Sequence, residues 1–207
     1  MCCVLACNVY DSLFAVKWVS SMNVYDFDGT IYNGDSSVDF YRFSVKKNPY
    51  ILLCIPKQAW GAMLYCIRKI DKTKLKEYFF SFLPKIDTAE MVDCFWEKHQ
   101  HKIQKWYLAQ RQPDDIIISA SPEFLLRPVC NNIGITRLIA SRVDYQNGKF
   151  DEPNCKGEEK VARLMREYSV SQIDSFYSDS ISDQPLANIS SKAFLVSKGE
   201  IKEWKLP

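Results

Sequence analysis

Nowhere in these 207 residues do about 20 apolar residues follow one another without a charge, which is the length a membrane-spanning helix needs. The opening segment, MCCVLACNVYDSLFAVKWVSS, comes nearest, but Asp11 and Lys17 interrupt it and no basic stretch precedes it, so it fits neither a spanning helix nor a signal peptide. The first core strand begins near Met22, which places the expected start of the natural chain there and makes residues 1–21 an N-terminal extension. A peripheral membrane anchor is the rival reading of that segment. An excess of one charge is missing too: 27 basic residues face 25 acidic ones for a net +2, and no footprint for nucleic acid results. The eight cysteines lack the short paired spacings of a zinc site, and a chain of this size needs no disulfide framework; free thiols in a reducing cytosol are expected. His99 and His101 are the only histidines, point to opposite sides of a helix on this reading and lack a partner ligand, so they read as surface residues. No internal repeat or low-complexity segment is present.

What is present is a globular composition, 47% hydrophobic and 25% charged, at a length suited to one domain carrying an insertion. Val24-Tyr25-Asp26-Phe27-Asp28 reads as a short buried strand ending in acids, turned by Gly29-Thr30. Ile116-Ile117-Ile118-Ser119 is a continuous apolar run of the kind that strands covered on both faces show. Ser121-Pro122-Glu123 then reads as N-cap, first helical residue and first-turn acid of a helix through Val129. Leu138-Ile139-Ala140 is a third strand, and Asn147-Gly148 sits in a tight hairpin turn. A helix from about Gly157 to Tyr168 should bury Val161, Leu164 and Met165; strands at 175–178 and 193–196 complete the pattern. Alternation of this kind predicts an α/β fold, a parallel sheet with helices on both faces, whose ligands bind beyond the carboxyl ends of the strands.

Residues 36–110 have a different texture and read as an inserted α-helical cap, leaving 22–35 and 111–207 as the core. Ser36 or Ser37 opens a helix that Asn48-Pro49 ends. Asp87 and Glu90 resemble a capping box, opening a helix that carries Met91, Phe95, Ile103, Trp106 and Tyr107 at helical spacing.

The chemistry lies at the strand ends. Asp26 and Asp28 can converge on one small volume if the chain turns at Phe27, and two anions there need a compensating cation. Mg²⁺, with its preference for hard oxygen ligands, would supply it. One carboxylate could then attack phosphorus while the other handles the proton. Ser119 offers a hydroxyl for a phosphate oxygen beside a helix start, a lysine follows at a later helix start, and Tyr177-Ser178-Asp179-Ser180-Ile181-Ser182-Asp183 delivers two more acids.

These residues in this order resemble the phosphatases of the haloacid dehalogenase superfamily, in the subclass that includes phosphoserine phosphatases, over essentially everything from Met22 onward. The resemblance implies a Rossmann-like core with Asp26 as nucleophile and Asp28 as general acid/base. It also implies Mg²⁺ held by the Asp26 carboxylate, the Asp28 backbone carbonyl and Asp179, with Asp183 in support. Ser119, Ala120, Gly29 and Thr30 are the implied phosphate contacts. For the site lysine two candidates compete: Lys156 has the distance to Asp179 seen in phosphoserine phosphatases, whereas Lys160 matches the GxEKV string of a phosphatidylglycerophosphatase-like branch and is preferred. Asp35 stands where phosphoserine phosphatases carry a glutamate that reads the substrate amine, and it is equally a helix N-cap beside Ser36. The expected substrate is a phosphorylated small molecule or a lipid headgroup. Apolar residues in 50–65 offer either buried packing or a surface for a lipid or a membrane.

Overall fold

A computed structural model describes residues 22–168 and 173–205; the expectations for residues 1–21 lie outside it. Six strands form one sheet in the order β3-β2-β1-β4-β5-β6. They run β1 Asn23–Tyr25, β2 Ile116–Pro122, β3 Arg137–Ser141, β4 Ile173–Ser178, β5 Ser190–Ser197 and β6 Glu200–Glu203. All neighbours are parallel except β5 and β6.

The apolar run of β2 explains its own position. Ile116 and Ile118 enter one buried cluster with Val24, Ile139, Phe176 and Leu164, while Ile117 enters the other with Tyr25, Leu138 and Leu125. Successive side chains of a strand point to opposite faces, so a strand covered by helices on both sides must be apolar throughout. Full burial of each isoleucine contributes about 1.5–3 kcal/mol.

β6 was not anticipated. It returns antiparallel along β5 through Lys198 and Gly199, both at positive φ (52° and 84°), the two-residue turn whose twist matches that of the strands it joins. Lysine at the first of those positions gives no turn signal, which is why the hairpin escapes a sequence reading.

The chain between β1 and β2 has helices as its elements, with turns and two isolated bridges around them. Its α-helices are α1 Ser36–Lys47, α2 Ile55–Cys66, α3 Lys72–Phe79, α4 Thr88–His99 and α5 Lys105–Gln110, with 3₁₀ turns between several of them. It shares a core with the sheet: Phe40, Phe82, Phe95 and Trp96 are buried in the same cluster as Phe27, Ile117 and Leu125, and the Trp96 indole donates to the Leu125 carbonyl at 2.6 Å. The α2–α3 pair lies further out. Gly61 lets the two helices meet, since a Cβ there would overlap the Tyr78 ring.

Three local expectations need correction. The helix expected from Asp87 through Tyr107 breaks at a 3₁₀ turn, Gln100–Lys102, because Ile103 must extend to bridge Tyr32 and let the Gln104 N–H reach the Ile31 carbonyl at 2.8 Å. Ser121 is not a helix cap: β2 runs on through Pro122, which precedes α6 Glu123–Asn132, and the serine hydroxyl is engaged elsewhere. Helix α7, Glu158–Glu167, buries Lys160 and Arg163 beside Leu164, whereas Met165 is exposed. Arg163 tolerates burial through bonds to Glu159 and to the Ala140 and Pro153 carbonyls. The short helix α8, Gln184–Asn188, completes the set.

Candidate active site

The chain places β2 and β3 on one side of β1 and β4 and β5 on the other, so connections diverge at β1 and leave a crevice beyond the strand ends. Asp26 follows β1 directly, and its N–H extends the ladder to the Tyr177 carbonyl at 2.8 Å. Ser119 pairs with Ala140 where the regular β2–β3 register ends, and Asp179 follows β4. Asp26, Asp28, Ser119, Ala120, Asp179 and Asp183 line one cavity of about 350 Å³. Asp35, Lys156 and Lys160 line it as well.

Lys160 is buried at the floor of this cavity, its Nζ 2.8 Å from Asp26 Oδ1 and 2.7 Å from Asp183 Oδ2. Burial works against the ammonium, but the two carboxylates outweigh it and hold the lysine above its ordinary value. Burial pushes Asp26 up, opposed by the Lys160 charge and reinforced by that of Asp183. Asp183 also accepts from the Ser178 hydroxyl at 2.9 Å, so its orientation is fixed by two donors. Lys156 has no such contact. It precedes the helix, separated from it by Gly157 at φ +58°, so the two lysines do not share a helical face.

Asp28 has a different environment. Its Oδ1 accepts the Ser36 N–H at 2.7 Å and its Oδ2 accepts the Ser121 hydroxyl at 2.5 Å, both neutral donors. Burial, with the nearby Asp35 charge, pushes it up to about 7 despite those bonds. The side chain thus titrates where proton transfer near neutrality is efficient. Asp35 caps α1, its Oδ1 accepting the Val38 N–H at 2.9 Å while the residue faces the cavity.

Gly29 and Thr30 stand apart from the cavity lining. The Gly29 N–H is bonded to the Gly34 carbonyl, and Thr30 is fully buried with its hydroxyl unpartnered among the described residues. What Gly29 does provide is space: at φ +71° it lies so close to Asp179 that a Cβ would overlap the carboxylate. Ser119 has its hydroxyl on the Ser121 N–H at 3.0 Å, and the Ala120 carbonyl receives Ser141 and Lys76.

Sequence reasoning missed Ser121 as a partner of Asp28 and Lys76 as part of the site. Lys76 reaches in from α3, its Nζ 2.7 Å from both the Ala120 carbonyl and Asn154 Oδ1; burial pulls it down to about 8. Nothing in KTKLKEYF distinguishes this lysine from its exposed neighbours.

The residues suit a hard divalent cation. Asp26, Asp179 and Asp183 share the cavity with one bonded cation, Lys160; apart from it Asp183 receives only the Ser178 hydroxyl, and no other described residue donates to the Asp179 carboxylate, which burial and then Asp26 push up to about 6. An oxygen donor set with surplus negative charge is the chemistry that Mg²⁺ favours. Among the described residues no three His, Cys, Asp or Glu side chains are grouped so as to hold a metal by themselves.

The sequence model of the haloacid dehalogenase-like hydrolases matches residues 24–188. A histidinol-phosphatase of Neisseria meningitidis serogroup C (strain 8013) is 22% identical over 86% of this chain and 91% of that protein. Among solved structures, a protein of unknown function from Bordetella pertussis Tohama I superposes with a TM-score of 0.68 at 17% identity, over 84% of this chain and 89% of that one. A phosphoserine phosphohydrolase-like protein from Francisella tularensis subsp. tularensis SCHU S4 gives 0.53 at 14% identity, over 87% and 90%. At these identities the structural likeness speaks for the fold.

Proposed function

The chain belongs to the haloacid dehalogenase-like hydrolase family, and on that premise we propose that it is a phosphomonoester hydrolase working through an aspartyl-phosphate. One observation carries the reading. Two carboxylates share a cavity, but Asp26 faces the Lys160 ammonium while Asp28 meets only neutral donors and is pushed to about 7. Environments that treat two acids differently assign them different roles.

Asp26 is the nucleophile. Its carboxylate oxygen bonds to phosphorus as the bond to the leaving oxygen breaks, and protonated Asp28 gives that oxygen its proton. Asp28, now ionised, takes a proton from water as the water attacks the aspartyl-phosphate, which restores both acids. Lys160 orients Asp26 and offsets charge on the phosphoryl oxygens. Asp26, the Asp28 backbone carbonyl and Asp179 would hold Mg²⁺, with Asp183 positioned by Lys160 and Ser178. The ion supplies neutralisation of the phosphoryl oxygens. The helices of 36–110 act as the cap that closes over the substrate.

Purified protein with Mg²⁺ should hydrolyse p-nitrophenyl phosphate. Asp26→Asn should abolish turnover and EDTA should do so reversibly; activity that survives both changes refutes the mechanism. Transfer to added alcohols at a rate rivalling hydrolysis would point to a phosphotransferase instead.

For the substrate, a phosphorylated small molecule is the first reading, and one observation favours a phosphorylated lipid as the second. An apolar groove of about 520 Å³ between α2 and α3, lined by Ile55, Ala59, Ala62, Leu75 and Phe79, shares Lys72, Lys76 and Phe79 with the acidic cavity. Beside it, Tyr50, Leu53, Trp60 and Ile67 are exposed, each by more than half. No helix among the described residues is long and apolar enough to cross a membrane. An acyl chain in that groove predicts kcat/KM rising with alkyl phosphate chain length; a flat series excludes it.

A further inference from the structure

Four lysines line the cavity, and two are accounted for. Lys160 is neutralised by Asp26 and Asp183, and Lys76 is tied to the Ala120 carbonyl and Asn154. Lys72 and Lys156 have no salt bridge among the described residues, yet both line this one cavity, where each acts on the other's charge. They come from unrelated places, the first residue of α3 and the segment before α7, so the fold itself brings them together.

We propose that Lys72 and Lys156 form a second anion subsite that selects phosphomonoesters carrying another negative group, a carboxylate or a phosphodiester, elsewhere in the molecule. The proposal rests on the phosphatase reading and extends it to the substrate's body. Two like charges in contact repel, and Lys72 sits where the positive end of the α3 dipole adds to the repulsion. Lys156 beside it, and then burial, pull Lys72 below its ordinary value, the direction that like-charge repulsion gives. The Asp35 charge acts on Lys72 in the opposite direction, and one oxygen of that carboxylate already caps α1. An anion between the two lysines removes the repulsion and satisfies both sets of donors. Neither lysine touches Asp26, so this contact reads the substrate and leaves the reacting phosphorus to Lys160.

The test compares kcat/KM of the full chain with Mg²⁺ at fixed ionic strength on three matched series: ω-carboxyalkyl, plain alkyl and ω-aminoalkyl phosphates of increasing length. The carboxylates should exceed the alkyl esters at least tenfold at one or two lengths, with the amines poorest. Lys72→Gln and Lys156→Gln should each reduce that ratio several-fold, and Lys72→Arg should retain most of it. A phosphomonoester bearing a phosphodiester in place of the carboxylate shows which anion fits better. Calorimetric binding of ω-carboxyalkyl and alkyl phosphonates reads the subsite without turnover and should show the same preference. Equal values across the series, equal phosphonate affinities, or a preference unchanged in both glutamine variants overturns the subsite. Absence of all turnover with the phosphonate preference intact would instead count against the hydrolase reading alone.

Discussion

Replacing Lys160 with methionine tests the electrostatic floor of the cavity. Lys160 is 1% exposed and its ammonium lies 2.8 and 2.7 Å from two carboxylates, so it is the bonded cation between Asp26 and Asp183. Methionine keeps most of the side-chain volume but leaves two buried acids facing each other. Breaking a buried pair from one side costs about 3–5 kcal/mol, because the charge left behind has neither water nor a partner. With a urea m-value of about 2–3 kcal/mol/M, the unfolding midpoint of Lys160→Met should fall by roughly 1–2.5 M at pH 8. The sign of the pH effect follows from linkage. Burial already pushes Asp26 up and the lysine opposes it, so without the lysine the native state binds more protons than the unfolded chain and stability falls as pH rises through the raised value. The deficit should therefore be smaller at pH 5 than at pH 8, and adding Asp183→Asn should recover part of it at pH 8. Equal midpoints for variant and parent at both pH values would show that the pair contributes nothing and that Asp26 is held some other way.

Other outcomes follow from single contacts. Gly29→Ala places a methyl group on the Asp179 carboxylate at a positive-φ position, so the Mg²⁺ concentration for half-maximal activity should rise at least tenfold, measured by metal titration of turnover. Lys76, held near 8, binds fewer protons in the native state than in the unfolded chain between about pH 8 and 10.5; stability should rise with pH across that window, and Lys76→Met should remove this rise in urea melts. Burial pushes the thiols of Cys130 and Cys155 up to about 12 and 11, whereas Cys66 is exposed, so brief iodoacetamide treatment of native protein at pH 8 should label Cys66 and spare the other two, as read by peptide mass spectrometry.

The sequence alone determined the parts that depend on local pattern. An unbroken apolar strand such as Ile116–Ile118 reports burial on both faces, and acids following strands report where a parallel sheet presents its ligands. Asp35 and Asp87 announce the helices they cap because a cap is a contact across three residues. Tertiary structure decided whatever depends on distant segments meeting. Which of Lys160 and Lys156 lies against Asp26 turned on the packing of α7, although both stand in one short string. The hydroxyl of Ser121, read as a helix cap, was claimed by Asp28 from 93 positions away, and the break at Gln100–Lys102 was imposed by pairing with Tyr32. The meeting of Lys72 with Lys156 is of the same kind: charge and spacing along a chain carry no information about which surface another helix will bring beside them.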